Sequence, residues 1–254
     1  MKSYIRIIFI FLLFLSCSTE NGIHIYMIGD STMANKPDPA NNPERGWGQV
    51  LSAYFNDQVT VDNHAVNGRS TKSFIQEKRW DTVVEKLKPG DYVFIQFGHN
   101  DQKIKDPRRY TNPLTGYRQN LVKFVLESRE KGAIPVLFTS IVRRKFNEHG
   151  VLVDTHDLYP FVVRNVAEDL DVPFVDLQLK SENLVLSLGE EKSKSLYMWI
   201  EPGAYALYPE GKKDNTHFTE KGAMKMAGLA VEGLKENGLS LTRFIIDPMQ
   251  RPGQ

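Results

Sequence analysis

Ser31 ends the tripeptide Gly29-Asp30-Ser31, which follows the apolar run Ile23-His24-Ile25-Tyr26-Met27-Ile28. A serine hydroxyl is a poor nucleophile at neutral pH. It needs a base within hydrogen-bond reach and a third group that fixes the tautomer of that base. Asp214-Asn215-Thr216-His217 contains both, with His217 the candidate base and Asp214 its orienting carboxylate. The three-residue spacing lets the carboxylate fold back toward the imidazole of its own turn. Acyl transfer also requires donors aimed at the developing oxyanion. The candidates are the Ser31 backbone N–H, if a helical turn begins there, the Gly68 N–H within Asn67-Gly68-Arg69-Ser70, and the Asn100 amide within Gly98-His99-Asn100-Asp101. Together these residues point to a serine hydrolase.

Each piece alone has a plainer reading: Ser31 and Asp214 as turn or helix caps, His217 as a loop histidine, Gly68 as a loop glycine. Composition yields Gly-Asp-Ser by chance in about one chain in twenty of this length, but Gly-His-Asn-Asp in only about one in a thousand. The assignment is carried by all three blocks occurring in order, each after an apolar run or before a helical pattern.

Five runs rich in β-branched and aromatic residues predict the elements that position these groups: Ile23 to Ile28, Val59 to Asp62, Tyr92 to Phe97, Ile134 to Thr139 and Pro173 to Leu177. Near-continuous apolar character, as in Val93-Phe94-Ile95, predicts strands covered on both faces. Amphipathic patterns between them predict helices at Gly48 to Phe55, Trp80 to Leu87, Tyr117 to Lys131 and Asp157 to Asp169. A last helix starts at a Thr219 cap and ends near Gly238. Alternating strands and helices imply an α/β fold with a five-stranded parallel sheet, whose sites form at the carboxyl ends of the strands. Lys36 to Arg45, Asp106 to Thr115 and Pro202 to Lys213, rich in Pro, Asn and Gly, read as long loops around the pocket.

A chain of 254 residues can bury one substantial core, and residues 23–254 read as one catalytic domain. The formal net charge of +1 argues against a nucleic-acid partner, and Arg143-Arg144-Lys145 reads as a solvated loop. Residues 1–17 differ from the rest: Lys2 and Arg6 precede the apolar stretch Ile7 to Leu15, followed by Ser16 and Cys17. This is the pattern of an export signal, too short to span a membrane as a helix. Cys17 is the only cysteine, and its position resembles that of the lipidated residue of a bacterial lipoprotein signal. That resemblance implies an exported chain, periplasmic or at the cell surface, anchored through Cys17 with 18–22 as a short tether; an ordinary cleaved signal is the other reading.

The blocks Gly29-Asp30-Ser31, Asn63-x-Ala65-x-Asn67-Gly68-Arg69-Ser70, Gly98-His99-Asn100-Asp101 and Asp214-x-x-His217 resemble the SGNH hydrolase superfamily. More narrowly, Gly29 to Ala34, Arg45-Gly46-Trp47-Gly48, Asn67 to Ser70 and His217 to Ala223 are similar to the rhamnogalacturonan acetylesterase family. The resemblance implies a flavodoxin-like three-layer α/β/α sandwich and a Ser31-His217-Asp214 triad. It also implies an oxyanion hole from Ser31, Gly68 and Asn100, no metal or organic cofactor, and an acetylated pectic polysaccharide as substrate. Asp30 would support the turn and His99 would shape the pocket. Asn67 stands where many relatives have a second small residue. Arg69, Lys72 and Lys103 are candidates to pair with uronate carboxylates. Trp47, Tyr110 and the Trp199 to Tyr208 segment are candidates to stack on sugars, with Trp47 foremost. Competing readings are a lipid or thioester hydrolase of the same superfamily and a lipid-anchored glycan-binding protein. A further one is a metal-dependent phosphatase using Asp30, Asp101, Asp214, His99 and His217.

Overall fold

The apolar runs form the middle layer of the molecule, and their side chains divide between two cores. The computed structural model describes residues 22–250; the predicted export signal, Cys17 and all of the predicted tether except Gly22 lie outside them. In chain order the strands are β1 (Ile23–Gly29), β2 (Glu44–Arg45), β3 (Val59–Asn63), β4 (Tyr92–Gln96), β5 (Ile134–Phe138), β6 (Phe174–Val175), β7 (Tyr197–Ile200) and β8 (Lys212–Thr219). The helices are α1 (Trp47–Val50), α2 (Thr71–Gln76), α3 (Arg79–Val84), α4 (Arg118–Glu130), α5 (Tyr159–Asp169), α6 (Leu177–Ser193) and α7 (Glu220–Glu236).

Five strands form a parallel sheet in the order β3-β1-β4-β5-β6. Alternate residues face opposite ways, as strand geometry demands. Ile25, Met27, Tyr92, Phe94, Val136 and Phe138 pack with residues of α1, α6 and α7. Tyr26, Ile28, Val93, Ile95 and Leu137 pack with residues of α3, α4 and α5. This is the expected three-layer sandwich. The chain leaves β1 outward to β3 and then returns past β1 to β4, so the strand order reverses between β1 and β4, where a ligand crevice opens in this topology. Ser31 follows β1 and Asn100 follows β4, on the two sides of that switch point.

Three elements depart from the expected layout. The fifth predicted strand stops at Val175, because Asp176 caps the helix α6 by accepting from the Leu179 N–H at 3.2 Å. Ser70 and Ser73 form a capping box that starts α2 in a stretch for which no element is predicted. β2, β7 and β8 build a second, antiparallel sheet in the order β2-β8-β7, of which polar β2 and β8 are invisible to an apolar-run criterion. Among the described residues no helix is long and apolar enough to cross a membrane.

Candidate active site

Past β1 the chain turns tightly around Asp30, which is completely buried. Its carbonyl accepts from the Met33 and Ala34 N–H groups at 3.2 and 3.0 Å, and its Oδ1 accepts from the Thr32 N–H at 3.0 Å and the Thr32 hydroxyl at 2.8 Å. Asp30 thus builds the turn that presents Ser31, as expected. The block Arg45-Gly46-Trp47-Gly48 buttresses that turn: the Trp47 N–H donates to the Thr32 carbonyl at 2.9 Å. A Cβ on Gly46 would stand 2.2 Å from the Ala34 carbonyl oxygen, so only glycine permits this approach.

Asp214 and His217 arrive on β8, not on a loop before a helix. Tyr197 pairs with Phe218 and Trp199 with Lys213, so β8 advances five residues where β7 advances two. In an unbroken strand residues three apart face opposite sides; the bulge cancels that alternation. Its middle is held from outside, since Asn215 Oδ1 accepts from Arg144 at 3.0 Å and from Trp199 Nε1 at 2.8 Å. Asp214 Oδ2 consequently lies 2.8 Å from His217 Nδ1, and His217 Nε2 lies 2.9 Å from Ser31 Oγ. Burial pushes the Asp214 carboxyl up, but the bond and charge of His217 and the N–H groups of Thr216 and His217 outweigh it, holding Asp214 well below the carboxylate range. Ionised Asp214 accepts the Nδ1 proton, which leaves Nε2 free to take the proton of Ser31.

Three candidate donors to an oxyanion follow β1, β3 and β4. Among the described residues, neither the Ser31 N–H nor the Gly68 N–H has a protein acceptor. Gly68 has φ +77°, a left-handed conformation that favours glycine. Asn100 donates one amide proton to the Arg69 carbonyl at 3.0 Å and keeps a second on the same nitrogen, while Arg109 donates to its Oδ1 at 3.3 Å and fixes the orientation of the amide.

Beneath the turn, His99 Nδ1 lies 3.1 Å from Asp30 Oδ2, and Nε2 lies 3.1 Å from the Ile141 carbonyl. A carbonyl only accepts, so Nε2 carries a proton; burial lowers the His99 imidazole from its ordinary range, with the charge and bond of Asp30 pushing back. Burial raises the Asp30 carboxyl, but His99 and the Thr32 donors hold it down at about 2. His156 stands edge-on to His99, with ring centroids 4.8 Å apart and neither of its nitrogens hydrogen-bonded. Burial, reinforced by the charges of His99 and Arg143, holds His156 well below the histidine range, so this ring is neutral.

A charged chain closes the other flank. Buried Lys36 donates from Nζ to the Ser31 carbonyl at 2.6 Å and to Asn67 Oδ1 at 2.6 Å, and pairs with Glu44 Oε1 at 3.0 Å. Glu44 Oε2 meets Lys212 Nζ at 3.2 Å, and Lys212 lies 3.5 Å from Asp214 Oδ2. Burial depresses the Lys36 ammonium, with Glu44 pushing back; burial also raises Glu44, whose carboxyl nevertheless ends below its ordinary value beside Lys36.

The structure therefore joins Ser31, His217 and Asp214, links Asn67 to Ser31 through Lys36, and sets Asn100 after the strand beside β1. It corrects several other expectations. Trp47 is wholly buried and donates from Nε1 to Gln96 Oε1 at 2.7 Å, so it offers no face to a sugar. His99 is buried behind the turn with both ring nitrogens engaged, so it offers neither to a substrate. Arg144, expected in a solvated loop, is 2% exposed and supports the bulge. Lys72 donates to the Pro107 carbonyl at 2.7 Å. Arg69 is tied to Glu77 at 3.1 Å and borders, with Gly68, Arg108 and Arg109, a cavity of about 350 Å³. Lys103 is exposed, and Tyr110 and Trp199 are partly exposed. Asp101 accepts from the Thr71 N–H at 3.0 Å and from the hydroxyls of Thr71 and Thr111 at 2.5 and 2.7 Å. The five metal-ligand candidates fall into separate bonded groups, and among the described residues no three His, Cys, Asp or Glu side chains are grouped to hold a metal.

Sequence reading missed Lys36, Glu44, Lys212 and Arg109. Lysine and glutamate flanking Pro-rich text in the 36–45 segment were the signal for the first pair; the partnership with Lys212 has no sequence signal.

Residues 27–225 match the GDSL-like Lipase/Acylhydrolase family. Rhamnogalacturonan acetylesterase RhgT of Bacillus subtilis (strain 168) is 44% identical over 224 residues, covering 88% of this chain and 94% of its own. The probable rhamnogalacturonan acetylesterase YesY of the same organism is 39% identical, covering 88% and 97%. The solved structure of YxiM from Bacillus subtilis is similar with a TM-score of 0.75 at 27% identity, over 86% of this chain and 58% of that one. Axe2, an acetylxylan esterase from Geobacillus stearothermophilus, shares the fold with a TM-score of 0.60 at 20% identity, over 88% and 97%. The chain belongs to the GDSL-like Lipase/Acylhydrolase family, and it is an ester hydrolase built on a three-layer α/β sandwich.

Proposed function

We propose that the protein is an exported serine carbohydrate esterase that removes O-acetyl groups from pectic polysaccharide of the rhamnogalacturonan type. The observation that carries the chemistry is the unbroken chain Asp214–His217–Ser31, with links of 2.8 and 2.9 Å. Ser31 Oγ attacks the acetyl carbonyl carbon while its proton passes to His217 Nε2. The carbonyl oxygen becomes an oxyanion that accepts from the N–H groups of Ser31 and Gly68 and the free amide proton of Asn100. The ester C–O bond then breaks, and the sugar oxygen leaves with the proton held by His217. Water, deprotonated by His217, attacks the acetyl-enzyme and releases acetate and Ser31.

The substrate class is supported by the two relatives at 44% and 39% identity, named as rhamnogalacturonan acetylesterases. Export, with anchoring through Cys17, rests on the sequence of residues 1–17 alone.

The test is acetate release from acetylated rhamnogalacturonan, compared with acetylated xylan and a long-chain p-nitrophenyl ester, with Ser31→Ala as the blank. Expected is serine-dependent release from the pectic substrate, with turnover in the variant reduced at least about 10⁴-fold. Preference for the long-chain ester would move the protein to lipid or thioester hydrolysis, near-normal turnover by Ser31→Ala would remove the triad assignment, and no release from any substrate would favour the glycan-binding reading.

A further inference from the structure

Lys36 stands outside the three groups that carry out the reaction, yet it touches the loop that holds Ser31 and the loop that holds Gly68. Its ammonium has three protons and three partners: the Ser31 carbonyl, the Asn67 side-chain oxygen and Glu44. No proton is left for solvent or substrate, so this lysine is built into the molecule. Its backbone is anchored as well, since the Lys36 N–H donates to Gln49 Oε1 at 2.9 Å.

The two bonded oxygens explain what the lysine does. Ser31 supplies one backbone oxyanion donor, and Asn67 immediately precedes Gly68, which supplies another. These residues sit on separate loops, one after β1 and one after β3, and Lys36 bonds both at 2.6 Å. An apolar side chain of similar length, such as methionine, could donate to neither oxygen, and burying an ammonium is costly unless its counter-charge is close. Glu44 supplies that counter-charge on one oxygen and pairs with Lys212 on the other. Resting on the esterase reading above, we infer that Lys36 is a positioning residue: neutralised by Glu44, it pins the nucleophile turn to the Asn67-Gly68 loop and so sets the spacing of the two backbone donors of the oxyanion hole.

The inference differs from a general role in folding in what it does to the reactive serine. A misplaced oxyanion donor slows bond formation in every molecule, whereas a folding defect removes some molecules and leaves the rest unaffected. The test is therefore Lys36→Met, assayed with an acetyl ester and with a fluorophosphonate that labels the active serine. Expected is full labelling stoichiometry, a labelling rate constant and kcat both at least about tenfold lower, and KM within about twofold of the parent. Reduced stoichiometry with a normal rate constant, or a normal kcat, would overturn the proposal.

Glu44→Gln keeps the size and removes the counter-charge, and is expected to lower kcat less than Lys36→Met. Because Glu44 acts here through Lys36, the double variant should resemble Lys36→Met alone, while multiplying effects would overturn the link between them. Ser31→Ala separates the two levels of inference. If that variant still hydrolyses the ester, the serine reading fails whatever Lys36 does; if it is inert and Lys36→Met is normal, only the positioning role fails.

Discussion

The two halves of the catalytic arrangement are held by different physics. Ser31 and Asn100 leave the ends of neighbouring strands of the parallel sheet, over two apolar cores and a layer of buried polar residues. Asp30, Thr32, Gln96 and Asp101 in that layer are at most 1% exposed. Asp214 and His217 sit instead on a polar strand of a small antiparallel sheet, with side chains 19% and 26% exposed. Their geometry comes from a bulge and from the clasp of Arg144 and Trp199 on Asn215. Packing over-determines the nucleophile side; a few directed bonds determine the base side. The difference assigns rigidity to the oxyanion hole, which must be preorganised, and places the proton carrier where solvent and leaving group can reach it.

The comparison is broken most severely on the base side. Asp214→Asn removes the acceptor that fixes the His217 tautomer, and kcat should fall about 10³- to 10⁴-fold. Thermal unfolding should fall only modestly, because asparagine keeps the size and an oxygen that can accept from the Thr216 and His217 N–H groups; a large fall in Tm would show that the small sheet depends on this carboxylate for its fold.

On the nucleophile side the largest expected effect is on stability. Complete burial raises the Asp101 carboxyl to about 7, despite donors from Thr71 and Thr111. The native state then binds a proton that the unfolded chain has already released, so this group's contribution is fully present below pH 4 and is lost as pH rises toward 7. Relative to Asp101→Asn, the parent should lose up to about 4 kcal/mol across that window. Denaturant unfolding of both proteins at pH 4, 5.5 and 7 measures the difference, and parallel curves would mean that Asp101 is ionised throughout.

The smallest of these effects sharpens the comparison. Asn100→Ala deletes one preorganised donor and should lower kcat about 10²-fold with little change in KM, because its bond strengthens only as the oxyanion forms. A change confined to KM would reassign Asn100 to substrate binding.

Legibility in the sequence follows the same divide. The runs around Ile25, Phe94 and Val136 were readable because a strand covered on both faces must be apolar throughout. Strand β8 was not, since Lys212 to His217 are polar and only its two neighbours in the small sheet, β2 and β7, hold it there. Trp47 lies in a characteristic block, and its residue type fits a sugar platform equally well. Only packing showed that its ring is spent on Phe138, 5.5 Å away, and its N–H on Gln96. Arg144 misled in the opposite direction, because a basic triplet in a loop is usually solvated.

By itself the sequence determined the parallel sheet and the motifs of Ser31 and Asn100 that follow two of its strands, because apolar periodicity and local motifs act over a few residues. The tertiary structure decided that a bulge turns Asp214 and His217 to one side. It decided that Trp47 and His99 are inside, and that Lys36, Glu44 and Lys212 form one charged chain across 168 residues of separation between the last two. Those outcomes depend on which distant surfaces meet, and burial, charge pairing and strand register exist only once they have met.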